Sequence, residues 1–418
     1  MIVLFEERIR EAAISFLKLS EEKVIRIYSQ YDADGISSAA IFSKFLIRLG
    51  RNFELRFFKQ LNSKVLNNID TNNKFLVFLD MGSGQLEILK DVIKDGNTLI
   101  IDHHEPSNFH LENLIHVNPH LFSDNIDPED YCTSIIVYLF TLCIDRKNED
   151  LIEYMIYGAI GDRKEESKVL RELIERYGSN RIIVEKGLKM YGRNKPLHKA
   201  LAYNLELFLP GVFDNEFAAI EFLEELGIKV KNNIEWRTLE SLSEEEIKKI
   251  VDRLVLYYQD PKEIIGDNFF IVNKDSYFSD VREVVSMINA SSRLGFIDEA
   301  FRFCIGDKLI NEKIVKNFEE YRKRLSKYFE LIDEKGLLNK ENSIFLFSDK
   351  EIPDSFIGVL VSMISAREKN KPVIGIGYDK EINMFKVSAR NNSNKNINLR
   401  NILLTVVKEI GGEAGGHK

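Results

Sequence analysis

The chain has 418 residues, 44% of them hydrophobic and 30% charged, with a formal net charge of −8. That is enough for two or three domains with real cores, and no apolar run approaches the about 20 residues that span a bilayer. Acidic Glu6 and Glu7 stand where a secretory leader would be basic, and Cys132, Cys143 and Cys304 have no metal-like spacing. The expectation is a cytoplasmic protein with reduced, buried thiols and no membrane partner. The acidic balance does not exclude nucleic acid, because a local basic groove matters more than the total. It favours short or single-stranded substrates held near one end, and it leaves acidic faces for protein partners.

In chain order, Met1–Arg8 opens an amphipathic helix. Val24–Tyr31 reads as a strand that leads into the helix Ile36–Leu49, whose Ile36, Ala39, Ala40, Phe42, Phe45, Leu46 and Leu49 form one apolar face. Phe53–Phe58, Phe75–Leu79 and Thr98–Ile101 are further strands, Tyr131–Leu142 is a buried helix, and Tyr157–Ile160 is another strand-like run. Charged amphipathic helices follow at Lys168–Arg176, Arg181–Leu188, Glu216–Leu226 and Glu244–Tyr257, and Phe318–Lys335 is a bridging helix. The end of the chain returns to strands at Ser343–Phe347, Pro372–Gly377 and Met384–Arg390, then the helix Leu399–Ile410. The expected class is α/β. A doubly wound parallel-sheet catalytic domain (1–165) precedes a mainly helical insertion with a return to that domain (166–306). A linker helix (307–341) and a smaller C-terminal α/β domain (342–418) complete the chain.

Four short segments concentrate the chemistry: Asp32-Ala33-Asp34-Gly35, Asp80, Asp102-His103-His104 and Asp162, each just after an apolar run. Loops at the carboxyl ends of parallel strands converge on one crevice. That crevice would collect five carboxylates and two imidazoles with no Lys or Arg inside the motifs. Cations must neutralise such a group, and carboxylate oxygens mixed with imidazole suit Mn²⁺ or Mg²⁺ better than thiolate-loving metals. The inference is a two-metal site of the kind used for in-line displacement at phosphorus. Taken singly, each segment has an ordinary reading. Asp32 and Asp34 would complement a helix dipole, Asp80 would cap a turn, His103 and His104 would be a loop pair, and Asp162 a surface turn. All four together, each after a strand-like run, favour the metal site.

These motifs resemble the DHH phosphoesterase superfamily, and more narrowly its archaeal RecJ-like branch, which includes the GINS-associated nucleases. The matching residues are Ser29-Gln30-Tyr31-Asp32-Ala33-Asp34-Gly35-Ile36, Phe78-Leu79-Asp80, Ile101-Asp102-His103-His104-Glu105-Pro106 and Gly158-Ala159-Ile160-Gly161-Asp162. The resemblance extends through Asn118-Pro119-His120, Pro196-Leu197-His198, Trp236-Arg237-Thr238 and Met287-Ile288-Asn289, so it covers essentially the whole chain.

The resemblance implies a DHH domain, a helical insertion and a DHH-associated domain. Two Mn²⁺ ions, with Mg²⁺ as substitute, would be held by Asp32, Asp34, Asp80, His103 and Asp162, with Asp80 bridging. Asp102 would orient His103, and His104 would face the scissile phosphate. Ser388, Arg390, Gly415, Gly416 and His417 would hold the substrate across an interdomain cleft, Arg390 with two donors. The implied activity is a Mn²⁺-dependent single-strand exonuclease acting on DNA or RNA in replication, repair or RNA processing. A replisome partner of GINS type or an RNA-processing nuclease would accompany it. Alternatives are a phosphodiesterase for oligonucleotides or cyclic dinucleotides and an inactive scaffold subunit. One position departs from the pattern, since Gln30 stands where the family usually has His and bacterial relatives often have Asp. The family motif also runs on past its histidine into a further strand, whereas this sequence stops at Lys418.

Overall fold

Five apolar runs pair side by side, all parallel, in the order β2-β1-β3-β4-β5. They are β1 (Val24–Gln30), β2 (Phe53–Phe58), β3 (Lys74–Leu79), β4 (Thr98–Ile101) and β5 (Ile115–Val117). The computed structural model describes residues 3–411 apart from 62–65, 67–68, 70, 72, 94–95, 259, 273, 275–276, 349–350, 369, 381–382 and 393–396. β3 and β4 are buried almost throughout, as strands covered on both faces must be. Side chains of β3 alternate accordingly. Phe75 meets Phe16 of helix α1 (Val3–Ser20) in an edge contact at 5.3 Å, while Leu76 and Phe78 join Tyr28, Ile100 and Leu86 on the opposite face. Phe16 also meets Phe42 and Phe45 of helix α2 (Ala33–Arg48) and Phe140. The strand order reverses between β1 and β3, and such a switch point opens a crevice at the carboxyl ends of the strands.

The chain divides into two compact units, Met1–Glu185 with Phe269–Val315, and Lys186–Asn268 with Lys316–Lys418. The first holds the parallel sheet. The second has a helical core of Leu197, Leu201, Leu223, Ile250, Leu254 and Ile264. It also has a four-stranded sheet ordered Leu338–Asn339, Ile344–Phe347, Val373–Asp379, Met384–Arg390, in which only the middle pair is parallel. Among the described residues, no helix is long and apolar enough to cross a membrane.

Four expectations need correction. Arg181–Leu188 is not a helix, because Ile182–Leu188 is a strand that pairs with Ile265–Ile271. Ile182-Ile183-Val184 are β-branched and stiff at χ1, which favours a pleated surface. Tyr157–Ile160 is not strand-like but the end of the helix Ile152–Gly161. A short buried apolar run carries no period that separates the two cases. Lys168–Arg176 is an α-helix only over Lys168–Leu173, after which Ile174–Gly178 widens into a π-turn. Finally, Cys143 is exposed, whereas Cys132 and Cys304 are buried.

Candidate metal centre

β1 ends at Gln30 and α2 begins at Ala33, so Asp32 is the helix cap and its Oδ1 accepts from the Gly35 amide at 3.0 Å. A Cβ on Gly35 would stand 2.3 Å from the Gln30 carbonyl oxygen, so the turn demands glycine. Asp34 lies in the first turn of α2 but points inward. Its oxygens accept from the backbone amides of Thr133 at 2.7 Å and Ser134 at 2.9 Å, which open the helix Thr133–Ile144. Gly158 gives Asp34 its space, since a Cβ there would stand 2.4 Å from Asp34 Oδ1.

Asp80 follows β3 at φ +60°, a left-handed conformation that Asp tolerates better than most residues. Its Oδ1 accepts from the Thr133 hydroxyl at 2.9 Å and lies 3.4 Å from His103 Nε2. The same nitrogen lies 3.0 Å from Asp162 Oδ2. Asp162 caps the carboxyl end of Ile152–Gly161, where a negative charge opposes the helix dipole and gains from a neighbouring positive charge.

Asp102 works on His104. Its Oδ1 accepts from His104 Nδ1 at 2.8 Å and from the His104 amide at 3.1 Å, while Oδ2 accepts from the Ser83 amide at 2.9 Å. Asp102 was expected to orient His103, but its hydrogen bonds go to the ring and amide of His104 instead. The two rings lie side by side, with 4.4 Å between their centroids. Asn118 Nδ2 secures this loop, donating to the His104 carbonyl and to Ser83 Oγ, both at 2.8 Å.

Gln30 sits among acceptors. Its amide lies 2.6 Å from Asp32 Oδ2 and 2.8 Å from Asp80 Oδ2, and with the nitrogen turned to those carboxylates it donates to both.

Charge crowding is evident in the protonation equilibria. Burial, then Asp162, pushes Asp32 up to about 6, and the same two causes raise Asp34. Burial with the charges of Asp32 and Asp34 holds Asp80 well above the carboxylate range. Burial would raise Asp102 too, but the His104 charge and hydrogen bond outweigh it and bring Asp102 down. Burial alone would lower both imidazoles. Instead Asp162 and Asp80 hold His103 well above its ordinary value, and Asp102 lifts His104 to about 9. The centre therefore takes up protons where no cation is present.

The donors fit a divalent ion. One donor atom each from Asp34, His103 and Asp162 lies within 4.8 Å of the others, as do atoms of Asp80, His103 and His104. Neighbouring ligands of an octahedral ion at about 2.1 Å are about 3 Å apart, close to the spacings around His103 Nε2.

The first unit thus brings together Asp32, Asp34, Asp80, Asp102, His103, His104 and Asp162. Ser388 and Arg390 belong to the second, on the strand Met384–Arg390, where Arg390 Nε donates to Ser362 Oγ at 3.2 Å. Gly415, Gly416 and His417 lie outside the described residues. Sequence reading missed Thr133, Ser134 and Ser83, whose polar groups face the motif carboxylates. The pair Thr133-Ser134 directly before an apolar helical run was the available signal. Asn289 stands in the matching segment Met287-Ile288-Asn289, but sequence reading gave it no role. Its Oδ1 accepts from the Ala33 amide at 3.0 Å across 256 residues, a distance no local pattern spans.

The DHH family N-terminal domain matches residues 24–160, the DHH-CID domain 190–260 and the DHHA1 domain 342–418. An uncharacterised protein of Methanocaldococcus jannaschii is 28% identical over 409 residues, covering 94% of this chain and 87% of that protein. Among solved structures, CDC45 from Entamoeba histolytica superposes with a TM-score of 0.65 at 14% identity, over 96% of this chain and 94% of that one. RecJ from Thermus thermophilus in complex with Mn²⁺ gives 0.54 at 17% identity, over 88% of this chain and 46% of that one. An exonuclease RecJ bound to manganese gives 0.54 at 16%, over 88% and 79%. At these identities the structural likeness is one of fold. With its DHH, DHH-CID and DHHA1 domains in succession, the chain belongs to the DHH superfamily, and its fold is like that of RecJ.

Proposed function

We propose that the chain is a Mn²⁺-dependent phosphodiester hydrolase that removes nucleotides from an end of single-stranded DNA or RNA, in the cytoplasm. One observation carries this reading. Carboxylates from three separate segments and the His103 ring from a fourth converge on one point, with Asp162 and Asp80 oxygens 3.0 and 3.4 Å from His103 Nε2. In this reading Asp32, Asp34, Asp80, His103 and Asp162 would hold the ions, and the chemistry supplied would be activation of water and stabilisation of the leaving oxygen. His104 is held by Asp102 and is 36% exposed at its side chain, so its ring can meet a phosphoryl oxygen. Ser388 and Arg390 are assigned to substrate, with Gly415, Gly416 and His417 as the remainder of that set. The domain division 1–165, 166–306, 307–341 and 342–418 belongs to the same proposal, as does a protein partner in replication (GINS-like) or RNA processing. Mn²⁺ is favoured over Mg²⁺ by the imidazole in the donor set.

A second reading, a scaffold without activity, is supported by the likeness to CDC45 over 96% of the chain and by Gln30. One experiment separates the two. Single-stranded DNA and RNA labelled at either end are incubated with Mn²⁺ and the protein, with Asp34→Ala as control. Release of mononucleotides from one end by the wild type alone supports the hydrolase. Cleavage no greater than that of the control supports the scaffold.

A further inference from the structure

Asp80 offers its two oxygens to different company. Oδ1 faces His103 Nε2 at 3.4 Å, and that nitrogen also meets Asp162 and groups with Asp34. Oδ2 faces the Gln30 amide at 2.8 Å, and the same amide lies 2.6 Å from Asp32 Oδ2. The crevice therefore contains two unlike donor sets that share one carboxylate. The first consists of Asp34, Asp80, His103 and Asp162, three carboxylates and an imidazole. The second consists of Asp32, Asp80 and the neutral amide of Gln30.

His103 Nε2 has one lone pair, so the two groupings in which it appears serve a single ion. His104 Nδ1 bonds to Asp102 at 2.8 Å, which takes that nitrogen out of competition for a cation. Both considerations leave Asp34–Asp80–His103–Asp162 as the complete position.

A glutamine amide has two faces. Nitrogen inward, it makes two hydrogen bonds to carboxylates, the charge-assisted kind that is stronger than a neutral pair. Turned by half a rotation, it presents an oxygen to a cation between the same two carboxylates. An ion entering there must break both hydrogen bonds, and in return it gains a neutral ligand. We infer, resting on the metal-dependent reading above, that the two ion positions of this protein are unequal. Asp34–Asp80–His103–Asp162 fills first, and Gln30 acts as a positioning residue that keeps Asp32–Asp80 weak until its amide turns over. Chemistry that needs both ions then starts only when the free ion concentration reaches the weaker constant. The second position, made of oxygens alone, discriminates less between Mg²⁺ and Mn²⁺ than the imidazole-bearing one.

The test counts ions and needs no substrate. Full-length protein is titrated with Mn²⁺, and free ion is followed by its electron paramagnetic resonance signal. The expected wild-type result is one ion bound tightly and a second at least about tenfold more weakly. Gln30→Asp and Gln30→His, each supplying a stronger ligand at that point, bring the second constant to within about threefold of the first. Asp34→Ala removes the tight ion. Two equal wild-type ions, or a weak constant unmoved in both variants, overturn the inference and leave the metal reading standing. No bound Mn²⁺ in wild type or variants overturns the metal reading itself, and the inference with it.

Discussion

The crevice of the first unit and the outer strand of the second carry charge in opposite ways. In the crevice, Asp34 is 1% and Asp80 1% exposed, and backbone amides or hydroxyls of Thr133 and Ser134 hold their oxygens. On Met384–Arg390, Phe385 is 71% exposed and Arg390 stands at the surface. A buried group keeps a fixed direction and a shifted protonation equilibrium, whereas an exposed one is screened and mobile. Changes in the first region should therefore abolish chemistry, and changes in the second should only weaken a grip.

The strongest way to break that contrast is Asp80→Ala. Hydrolysis of a labelled single strand should fall by on the order of 10³-fold or more, with an unchanged circular dichroism spectrum. Activity near wild type would remove Asp80 from the site. Gly158→Ala comes next, because its Cβ would stand 2.4 Å from Asp34 Oδ1 and 2.3 Å from Ser134 Oγ. Displacing both should cost about 1–3 kcal/mol in a urea unfolding curve and lower Mn²⁺ affinity as well. Loss of stability without loss of metal affinity would show that Asp34 is not a ligand.

The protonation pattern sharpens the comparison further. Asp32 rises from 3.8 to about 6, so the metal-free fold holds a proton that the unfolded chain has released, and stability is lost as pH rises through about 6. His104 rises from 6.5 to about 9, so its contribution is complete below 6.5 and lost as pH rises through about 9. Both act in the same direction. The Tm of metal-free protein should fall between pH 5 and pH 9 by way of these groups, and Mn²⁺, which displaces the protons, should raise Tm more at pH 8 than at pH 6. Differential scanning fluorimetry with and without the ion gives the answer, and an equal Mn²⁺ effect at both pH values would contradict it. The smallest effect belongs to the exposed region. Arg390→Ala should raise KM for an oligonucleotide by about tenfold while Mn²⁺ stoichiometry stays constant. A changed stoichiometry would place Arg390 in the metal centre.

What the sequence made legible follows physical lines. Strong runs such as Phe75–Leu79 and Thr98–Ile101 showed the sheet because parallel strands are buried on both faces, and the carboxylate after each marked the crevice at the strand ends. The helix ending at Asp162 was misread as a strand because Ile152–Gly161 is buried almost all round and so carries no helical period. Arg181–Leu188 was misread in the opposite sense, its charges suggesting an amphipathic helix while Ile182, Ile183 and Val184 set the backbone. The supporting roles of Thr133, Ser134, Ser83 and Asn289 were not legible, since each acts through a backbone amide or a contact far away in the chain. Gln30 was visible as an oddity, but only its distances to Asp32 and Asp80 gave it a role.

The central claim is that this crevice holds divalent metal between loops of the first unit. Anomalous diffraction at the manganese edge, from crystals grown with Mn²⁺, tests it most directly. The expected result is a peak within coordination distance of Asp34, Asp80, His103 and Asp162, and a weaker one beside Asp32 and Gln30 that strengthens with ion concentration. A crevice without anomalous density at millimolar Mn²⁺ would contradict it.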